Sequence, residues 1–541
     1  MKRGAVVALC LVPGAATAGG LFLPGSGAVS TSRAGAAVAS AEGGEALGLN
    51  PAGLAKSKGT SITLSMAIID YAMEFNRRGT YDAIADEALP YEGAAFPTVR
   101  NDASPSLGIG SFQPIPVIAI VSDLGDAVPC LTVAAGLYAP NAYPFRDLCT
   151  EGPSGCQKYT FNGDFNAPPP PSRYDVMYQE ASVILPSIAA AYRITDQLDV
   201  GARFSAGFGH IKSTVALWGA LNNYEEYVKK DGVIAIDAKD NFVPAFGLGA
   251  TFRPTPAIEL AANFSSQASI NAKGDGLNQL GPAATLNDNP IVILPTDDAA
   301  ARCATGGTRA AQKACVELAL PMTATVGGRY KFFRANGAPA GDIELNVGWE
   351  NWSAERATDY RVVVDGDVYL VDANGAENYA VSLKDSFVRH GFKDVFTARL
   401  GGSYHAPMNN ADLIVRGGFG FDTGAAKAGW LRADVDGMAR ATATLGIGYK
   451  AKRWEVNIGG GAVFDLAGDV SGTCNPTGPS GGTGATFGCG PGGTEQDVDD
   501  RSGPDPITPV LDRENQAESP VNQGTYSGRY LLFMLGASTW F

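Results

Sequence analysis

Hydrophobic and polar residues alternate along several segments of about ten residues in this chain. In Asp342–Trp352, for example, Ile343, Leu345 and Val347 are separated by polar or small residues, and the pattern recurs in Leu198–Phe208, Ala257–Ser265 and Trp454–Ala462. Successive side chains of a strand point to opposite faces, so each segment predicts a strand with one apolar face and one polar face.

The C-terminal segment Gly528–Phe541 predicts another strand, with Leu531, Phe533, Leu535, Ala537 and Phe541 on one face. Bacterial outer-membrane barrels typically end their last strand on Phe, which makes the outer membrane the expected location and the barrel-assembly machinery an expected partner. The alternative is a buried C-terminal strand of a soluble sandwich.

The connections between predicted strands alternate in length, as they do in barrels with short periplasmic turns and long extracellular loops. Short links are expected at 123–129, 195–197, 254–256, 334–341, 407–411 and 451–453, and long loops at 76–104, 141–177, 213–240, 274–318, 353–390, 424–433 and 468–527. The expected fold is an all-β membrane protein, a 14-stranded antiparallel barrel with both ends in the periplasm.

The N-terminus differs from the rest of the chain. Met1-Lys2-Arg3, an apolar stretch and Ala16-Thr17-Ala18 indicate a secretory signal at residues 1–18. Residues 19–58 are rich in Gly and Ala and precede the first predicted strand, Gly59–Phe75. We expect 19–58 to form a plug, or hatch, inside a barrel made by residues 59–541.

Composition narrows the class of protein. The chain has 41 Lys+Arg against 55 Asp+Glu, a net charge of −14 that argues against nucleic acid as a partner. No apolar stretch after the signal is long enough for a membrane-spanning helix. An exported chain of this kind is either soluble or spans as a barrel.

Several sequence blocks resemble the FadL/TodX family of outer-membrane transporters. Ser32–Ala39 followed by Asn50-Pro51-Ala52-Gly53 is similar to the family's hatch, and Trp349–Ser353 and Arg416–Asp422 are similar to blocks of its barrel. Glu42–Glu45 and the loops depart from the family pattern. The resemblance implies passive uptake of long-chain fatty acids or other hydrophobic compounds, a monomer in contact with outer-membrane lipid, and lateral exit through the barrel wall.

The hatch motif Asn50, Pro51, Ala52 and Gly53 has the composition of a turn, because Asn bonds its own backbone, Pro fixes φ and Gly permits positive φ. An ordinary surface turn is the alternative. The resemblance favours a hatch turn.

Charged residues on the polar faces of the predicted strands should point into the lumen. They are Asp199, Arg203, Glu259, Glu344, Glu350, Arg416, Asp422 and Glu455. These residues either hold the plug and define a polar pore or neutralise one another as interior pairs.

Seven cysteines follow the signal, and six of them fall as close pairs within single predicted loops: Cys149 with Cys156, Cys303 with Cys315, and Cys474 with Cys489. In an oxidising compartment we expect these three disulfides, with Cys130 as a free thiol. The spacing does not fit a zinc site, and we expect neither a metal nor a cofactor.

The chain is not expected to be an enzyme. Gly478–Gly482 matches G-x-S-x-G but lies in a Gly-rich loop without the strand and helix of a nucleophile elbow. A water-filled porin for small polar solutes remains the alternative function.

A lateral gate is expected between the third and fourth strands. Gly136 lies inside the third strand, Pro140 ends it, and Pro186 lies inside the fourth, where a missing N–H removes a ladder bond. The alternative is two harmless bulges near the strand ends.

Overall fold

The computed structural model describes residues 20–541 except for short gaps and one long one. The gaps are 86, 153–154, 160–164, 218–225, 282–284, 287–288, 295–302, 304–311, 372–376, 383–385, 428–429, 467 and 471–523. The predicted signal peptide, the Cys474–Cys489 pair and the G-x-S-x-G match lie outside the described residues.

The described part of the chain is built mainly of strands. They are β1 Thr60–Arg77, β2 Val99–Asn101, β3 Gln113–Ser122, β4 Leu131–Tyr138, β5 Phe145–Gly152, β6 Gly155–Gln157, β7 Tyr178–Thr195, β8 Leu198–Leu217, β9 Gly232–Thr255, β10 Ile258–Ser265, β11 Ala268–Gln279, β12 Thr285–Leu286, β13 Asn289–Leu294, β14 Lys313–Leu320, β15 Thr323–Phe333, β16 Pro339–Glu350, β17 Asp359–Val364, β18 Asp367–Val371, β19 Glu377–Ser382, β20 Ser386–Arg389, β21 Val395–Met408, β22 Ala411–Asp422, β23 Arg440–Lys450, β24 Trp454–Asp465, β25 Gly468–Val470 and β26 Gly524–Trp540.

Most of these segments form a closed antiparallel barrel of fourteen wall strands within the described residues, and β12, β13, β18 and β19 form a separate four-stranded sheet. Seven of the wall strands consist of two segments each: β2 with β3, β4 with β5, β10 with β11, β15 with β14, β16 with β17, β21 with β20, and β24 with β25. The wall closes where β1 pairs with β26, from Ser61 opposite Trp540 to Arg77 opposite Gly524. Among the described residues the wall strands thus form a closed ring, which confirms the predicted fold.

The alternating pattern orients the side chains as predicted. On β16, Ile343 and Leu345 are 46% and 54% exposed on the outer face, whereas Glu344 and Asn346 point inward and are 0% and 1% exposed. On the last strand Phe533 and Leu535 are likewise exposed. The outer face is therefore apolar, as a face in contact with lipid chains must be.

The lengths of the connections agree with the prediction at the short turns and differ at the loops. β8 continues to Leu217 and β9 begins at Gly232, so the predicted loop 213–240 was too long. The predicted loop 274–318 likewise contains the end of β11 and most of β14. Beyond the lipid a strand no longer needs an apolar outer face, and the alternating signal weakens although the hydrogen-bond ladder continues.

The N-terminal segment folds inside the barrel as short helical turns. They are α1 Ala28–Thr31, α2 Ala46–Leu49 and two 3₁₀ turns, Gly43–Glu45 and Pro51–Lys56; a third 3₁₀ turn, Gly125–Ala127, and α3 Glu355–Thr358 lie in connections. Most residues from Ser26 to Ala55 are buried. Among the described residues, no helix is long and apolar enough to cross a membrane.

Candidate functional site: a plugged lumen with an apolar cavity

The Asn50–Gly53 motif forms a tight turn packed against the inner wall. The Asn50 side chain accepts a hydrogen bond from the Ala52 amide (3.1 Å) and donates one to the Val38 carbonyl (2.9 Å). The 3₁₀ turn that follows begins at Pro51, whose missing N–H costs nothing at this position. Gly249 on β9 makes room for the turn, because a Cβ there would lie 2.0 Å from Asn50 Oδ1.

Two buried acids of the wall hold the hatch. Arg33 donates to both carboxylate oxygens of Asp342 (3.1 and 2.8 Å) and also lies 3.2 Å from Glu344. Glu344 in turn accepts hydrogen bonds from the amides of Ala39 (2.7 Å) and Ser40 (3.1 Å). The wall therefore fixes the hatch through charge-assisted hydrogen bonds in a site with little solvent.

Glu45 performs a similar role within the hatch. Its carboxylate accepts from the amides of Val29 and Ser30, both at 3.0 Å, and from the Ser65 hydroxyl of β1 (2.8 Å). The sequence showed Glu42–Glu45 only as a departure from the family pattern. The structural role of Glu45 depends on contacts with residues that lie 15 to 20 positions away in the chain.

Most of the predicted lumen charges have partners of opposite charge. Asp199 pairs with Arg193 (2.9 Å) and Arg253 (2.7 Å), Glu259 with Arg329 (2.9 Å) and Lys331 (3.1 Å), Asp422 with Arg399 (3.0 Å), and Arg416 with Glu455 (2.8 Å). Glu350 accepts a hydrogen bond from the Trp352 indole (2.7 Å). Arg203 is different, because no ion pair joins it to a carboxylate within the described residues.

Beyond the hatch, the barrel encloses an apolar cavity of about 470 Å³. Its walls carry aliphatic side chains from β7, β8, β9, β11, β14 and β17, among them Ile184, Ile211, Ile236, Ile270 and Val316. This volume is in the usual range for small-molecule sites, and apolar walls favour a ligand that loses little hydration on entry. Sequence reasoning missed these residues, because they occupy inner faces predicted to be polar.

One end of the apolar cavity is polar but neutralised. Arg432 lies 3.3 Å from Asp175 and 3.2 Å from Asp434, and His390 Nε2 lies 2.8 Å from Asp434. Burial alone would lower the pKa of Arg432, but the nearby carboxylates of Asp434 and Asp175 have the larger effect and raise it. In the same way, Arg432 and His390 outweigh burial and hold the pKa of Asp434 far below its usual range. The Arg432 guanidinium at this end is therefore already paired with two carboxylates.

The wall beside the cavity is interrupted between the third and fourth strands. β4 pairs with β7 from Leu131 opposite Tyr192 to Tyr138 opposite Leu185, and pairing resumes only at Phe145 opposite Glu180. Residues 139–144 and 181–184 are therefore not paired with each other, and members of both stretches line the apolar cavity.

The three residues of the expected gate occupy different places at this interruption. Pro140 lies within it. Gly136 and Pro186 lie in the paired part, opposite Ser187 and Leu137. The gap thus begins beyond Gly136 and Pro186, and the role of the three residues in a lateral gate stays a prediction.

Two of the expected disulfides are present, Cys149–Cys156 and Cys303–Cys315. Cys130 is the free cysteine of the described residues and is exposed. Among those residues, no group of three potential ligands is placed to hold a metal.

Fold and site together define a class of protein, an outer-membrane β-barrel whose lumen is filled by its own N-terminus. The family model of outer membrane protein transport proteins (OMPP1/FadL/TodX) matches residues 9–464, and the chain belongs to this family. It is accordingly a protein of the bacterial outer membrane.

Solved structures share this fold at low sequence identity. A FadL homologue from Pseudomonas aeruginosa superposes with a TM-score of 0.63 at 14% identity, covering 96% of this chain and 100% of that one. The Ralstonia pickettii toluene transporter TbuX gives 0.53 at 14% identity, and the P. putida toluene transporter TodX gives 0.52 at 15%; each comparison covers 96% of this chain and 99% of the other. No curated protein sequence matches the chain.

Proposed function

We propose that this protein carries long-chain fatty acids or other hydrophobic compounds passively across the outer membrane. The observation that supports this most is the apolar cavity of about 470 Å³ enclosed by the barrel beyond the hatch. Each Å² of apolar surface that a cargo buries there contributes about 25 cal/mol, so capture requires no coupled energy source. Removal of the cargo on the periplasmic side makes the flux downhill.

The proposed exit is lateral, through the interruption beside Pro140 and residues 181–184. Unpaired backbone is costly in lipid, so its position beside an apolar cavity favours a passage over a chance defect. A hydrophobic molecule that leaves here passes from the apolar cavity directly into the lipid.

The proposed division of the chain follows from this account. Residues 1–18 are a signal peptide, 19–58 are the hatch and 59–541 are the barrel with its long loops. We also propose that the protein acts as a monomeric channel without enzymatic activity and that the barrel-assembly machinery inserts it.

A water-filled porin for polar solutes is the competing function, and the buried hatch argues against it. Two measurements on the same preparation separate the two functions: ion conductance in planar bilayers, and uptake of a radiolabelled hydrophobic compound by cells with and without the protein. We expect low conductance with protein-dependent uptake. A large steady conductance without such uptake would favour the porin.

A further inference from the structure

Arg203 on β8 is a buried cation whose contacts within the described residues are to neutral groups. Its side chain donates to the Leu47 carbonyl (2.5 Å) and the Ser265 hydroxyl (3.2 Å), and its guanidinium carbon lies 4.8 Å from the centroid of the Tyr138 ring. The Nε–H is buried without a hydrogen-bond partner. The residue is only 4% exposed.

A buried charge without a counter-charge is unfavourable, because neutral acceptors replace only part of its hydration. Other arginines of the same lumen are neutralised, as Arg416 is by Glu455 and Arg399 by Asp422. Arg33 is likewise neutralised, because it pairs with both Asp342 and Glu344. Arg203 therefore has an unused capacity to bind an anion.

There is space for an anion beside it. Arg203 lines a cavity of about 210 Å³ together with Asn263, Ser265, Thr323 and Thr325. Gly247 on β9 has no side chain, so the guanidinium of Arg203 can lie against the strand at this position. A Cβ at Gly247 would be 2.8 Å from Arg203 Nη2.

The same small cavity contains other charges. Arg399 and Glu350 also line it, but Arg399 is paired with Asp422 and Glu350 accepts the hydrogen bond of the Trp352 indole. The guanidinium of Arg203 is thus the charge in this cavity that lacks both an opposite charge and a full set of acceptors.

The small polar cavity adjoins the large apolar one. Ala139, Pro140 and Leu320 line both of them. A molecule with a charged head and an alkyl tail can therefore place its head beside Arg203 and its tail in the apolar cavity. The polar end at Arg432 does not compete for the head group, because two carboxylates already neutralise it.

We propose that Arg203 binds the carboxylate head group of the cargo and so makes this barrel selective for alkyl carboxylates over neutral compounds of equal chain length. This assignment rests on the proposed transport function and specifies its substrate class. Guanidinium groups bind carboxylates through paired hydrogen bonds. Nη1 and Nη2 of Arg203 each carry two N–H groups, and the contacts to Leu47 and Ser265 use one on each nitrogen.

The test compares binding of dodecanoate and 1-dodecanol to the purified barrel in amphipol at pH 8, by equilibrium dialysis. We expect the native protein to bind dodecanoate about tenfold more tightly than dodecanol, as charged hydrogen bonds of this kind allow. Arg203→Gln should bind both ligands equally, with the affinity for dodecanol unchanged, and Arg203→Lys should keep part of the preference.

The double variant Arg416→Gln/Glu455→Gln removes a neutralised pair from the same lumen and should keep the native preference. The heat-dependent shift in gel mobility reports whether each barrel is folded. If Arg203→Gln keeps the preference, or if the native protein binds dodecanol as tightly as dodecanoate, the role of Arg203 is wrong and the proposed transport function stands. If the native protein binds neither ligand, the proposed function itself is contradicted.

Discussion

Arg33 of the hatch and Asp342 of β16 form a two-point ion pair, with nitrogen–oxygen distances of 3.1 and 2.8 Å and side chains only 3% and 1% exposed. Removal of Arg33 leaves Asp342 paired with Arg329 (2.8 Å), but among the described residues it leaves the buried Glu344 without a counter-charge. An unpaired buried charge typically costs about 3–5 kcal/mol. We therefore expect Arg33→Gln to loosen the hatch without unfolding the wall.

The measurement for Arg33→Gln is limited proteolysis of residues 19–58 in the intact barrel, with planar-bilayer conductance alongside. Cleavage and conductance should both rise. Lys331→Gln at the Glu259 cluster is the control, because Arg329 remains to neutralise that acid. If residues 19–58 of Arg33→Gln resist proteolysis as well as those of the native protein, the ion pair does not hold the hatch.

Gly249→Ala should displace the Asn50 turn, because the added Cβ would meet Asn50 Oδ1 at 2.0 Å. Overpacking of this kind costs about 1–3 kcal/mol. Gly328→Ala is a matched strand glycine whose nearest contact would be 3.7 Å away. Thermal unfolding should show a lower midpoint for the first variant only, and equal midpoints would contradict the close packing.

The loop cysteines should give three disulfides and one thiol. Cys149–Cys156 and Cys303–Cys315 are bonded, and Cys474–Cys489 remains a prediction. Each disulfide restricts the unfolded chain and thereby raises the free energy of unfolding by about 2–3 kcal/mol. Thiol counting of the mature protein under denaturing, non-reducing conditions should find one reactive group, Cys130; three would show that the third pair is unbonded.

The apolar cavity should lose affinity when a polar group enters its wall. Ile270→Asn places an amide on the inner face of β11, where a hydrocarbon cargo cannot satisfy it, at a cost of about 1–3 kcal/mol. Leu277→Asn on the same strand is the control, since Leu277 is 46% exposed on the outer face. Dodecanol binding should weaken about tenfold in the first variant only.

The sequence predicted the barrel because lipid imposes a simple rule on the outer face, and residues such as Leu345 and Glu344 follow it. It also predicted the Asn50 turn and two disulfides, because each of these features joins residues that are close together in the chain. It did not predict the apolar cavity, because Ile211 and Ile270 lie on inner faces where no periodic rule requires an aliphatic residue. It also could not assign partners to Arg33 or Arg203, since those contacts join residues far apart in the chain.

The interruption in the wall leads to the central claim, that cargo leaves sideways between the third and fourth strands. Pro140 and Ser182 lie on its two sides and both line the apolar cavity. Cysteines at these positions, in a chain with Cys130→Ser, allow a short bifunctional thiol reagent to bridge the gap. The bridge should block passage without disturbing the hatch.

The decisive measurement is uptake of labelled dodecanoate by cells that carry this double-cysteine barrel, before and after cross-linking. The single variant Pro140→Cys, treated with the same reagent, is the control for simple modification. We predict that cross-linking abolishes uptake in the double variant, that the single variant keeps it, and that the gel-mobility shift of the folded barrel is unchanged. Undiminished uptake through the cross-linked barrel would contradict lateral exit.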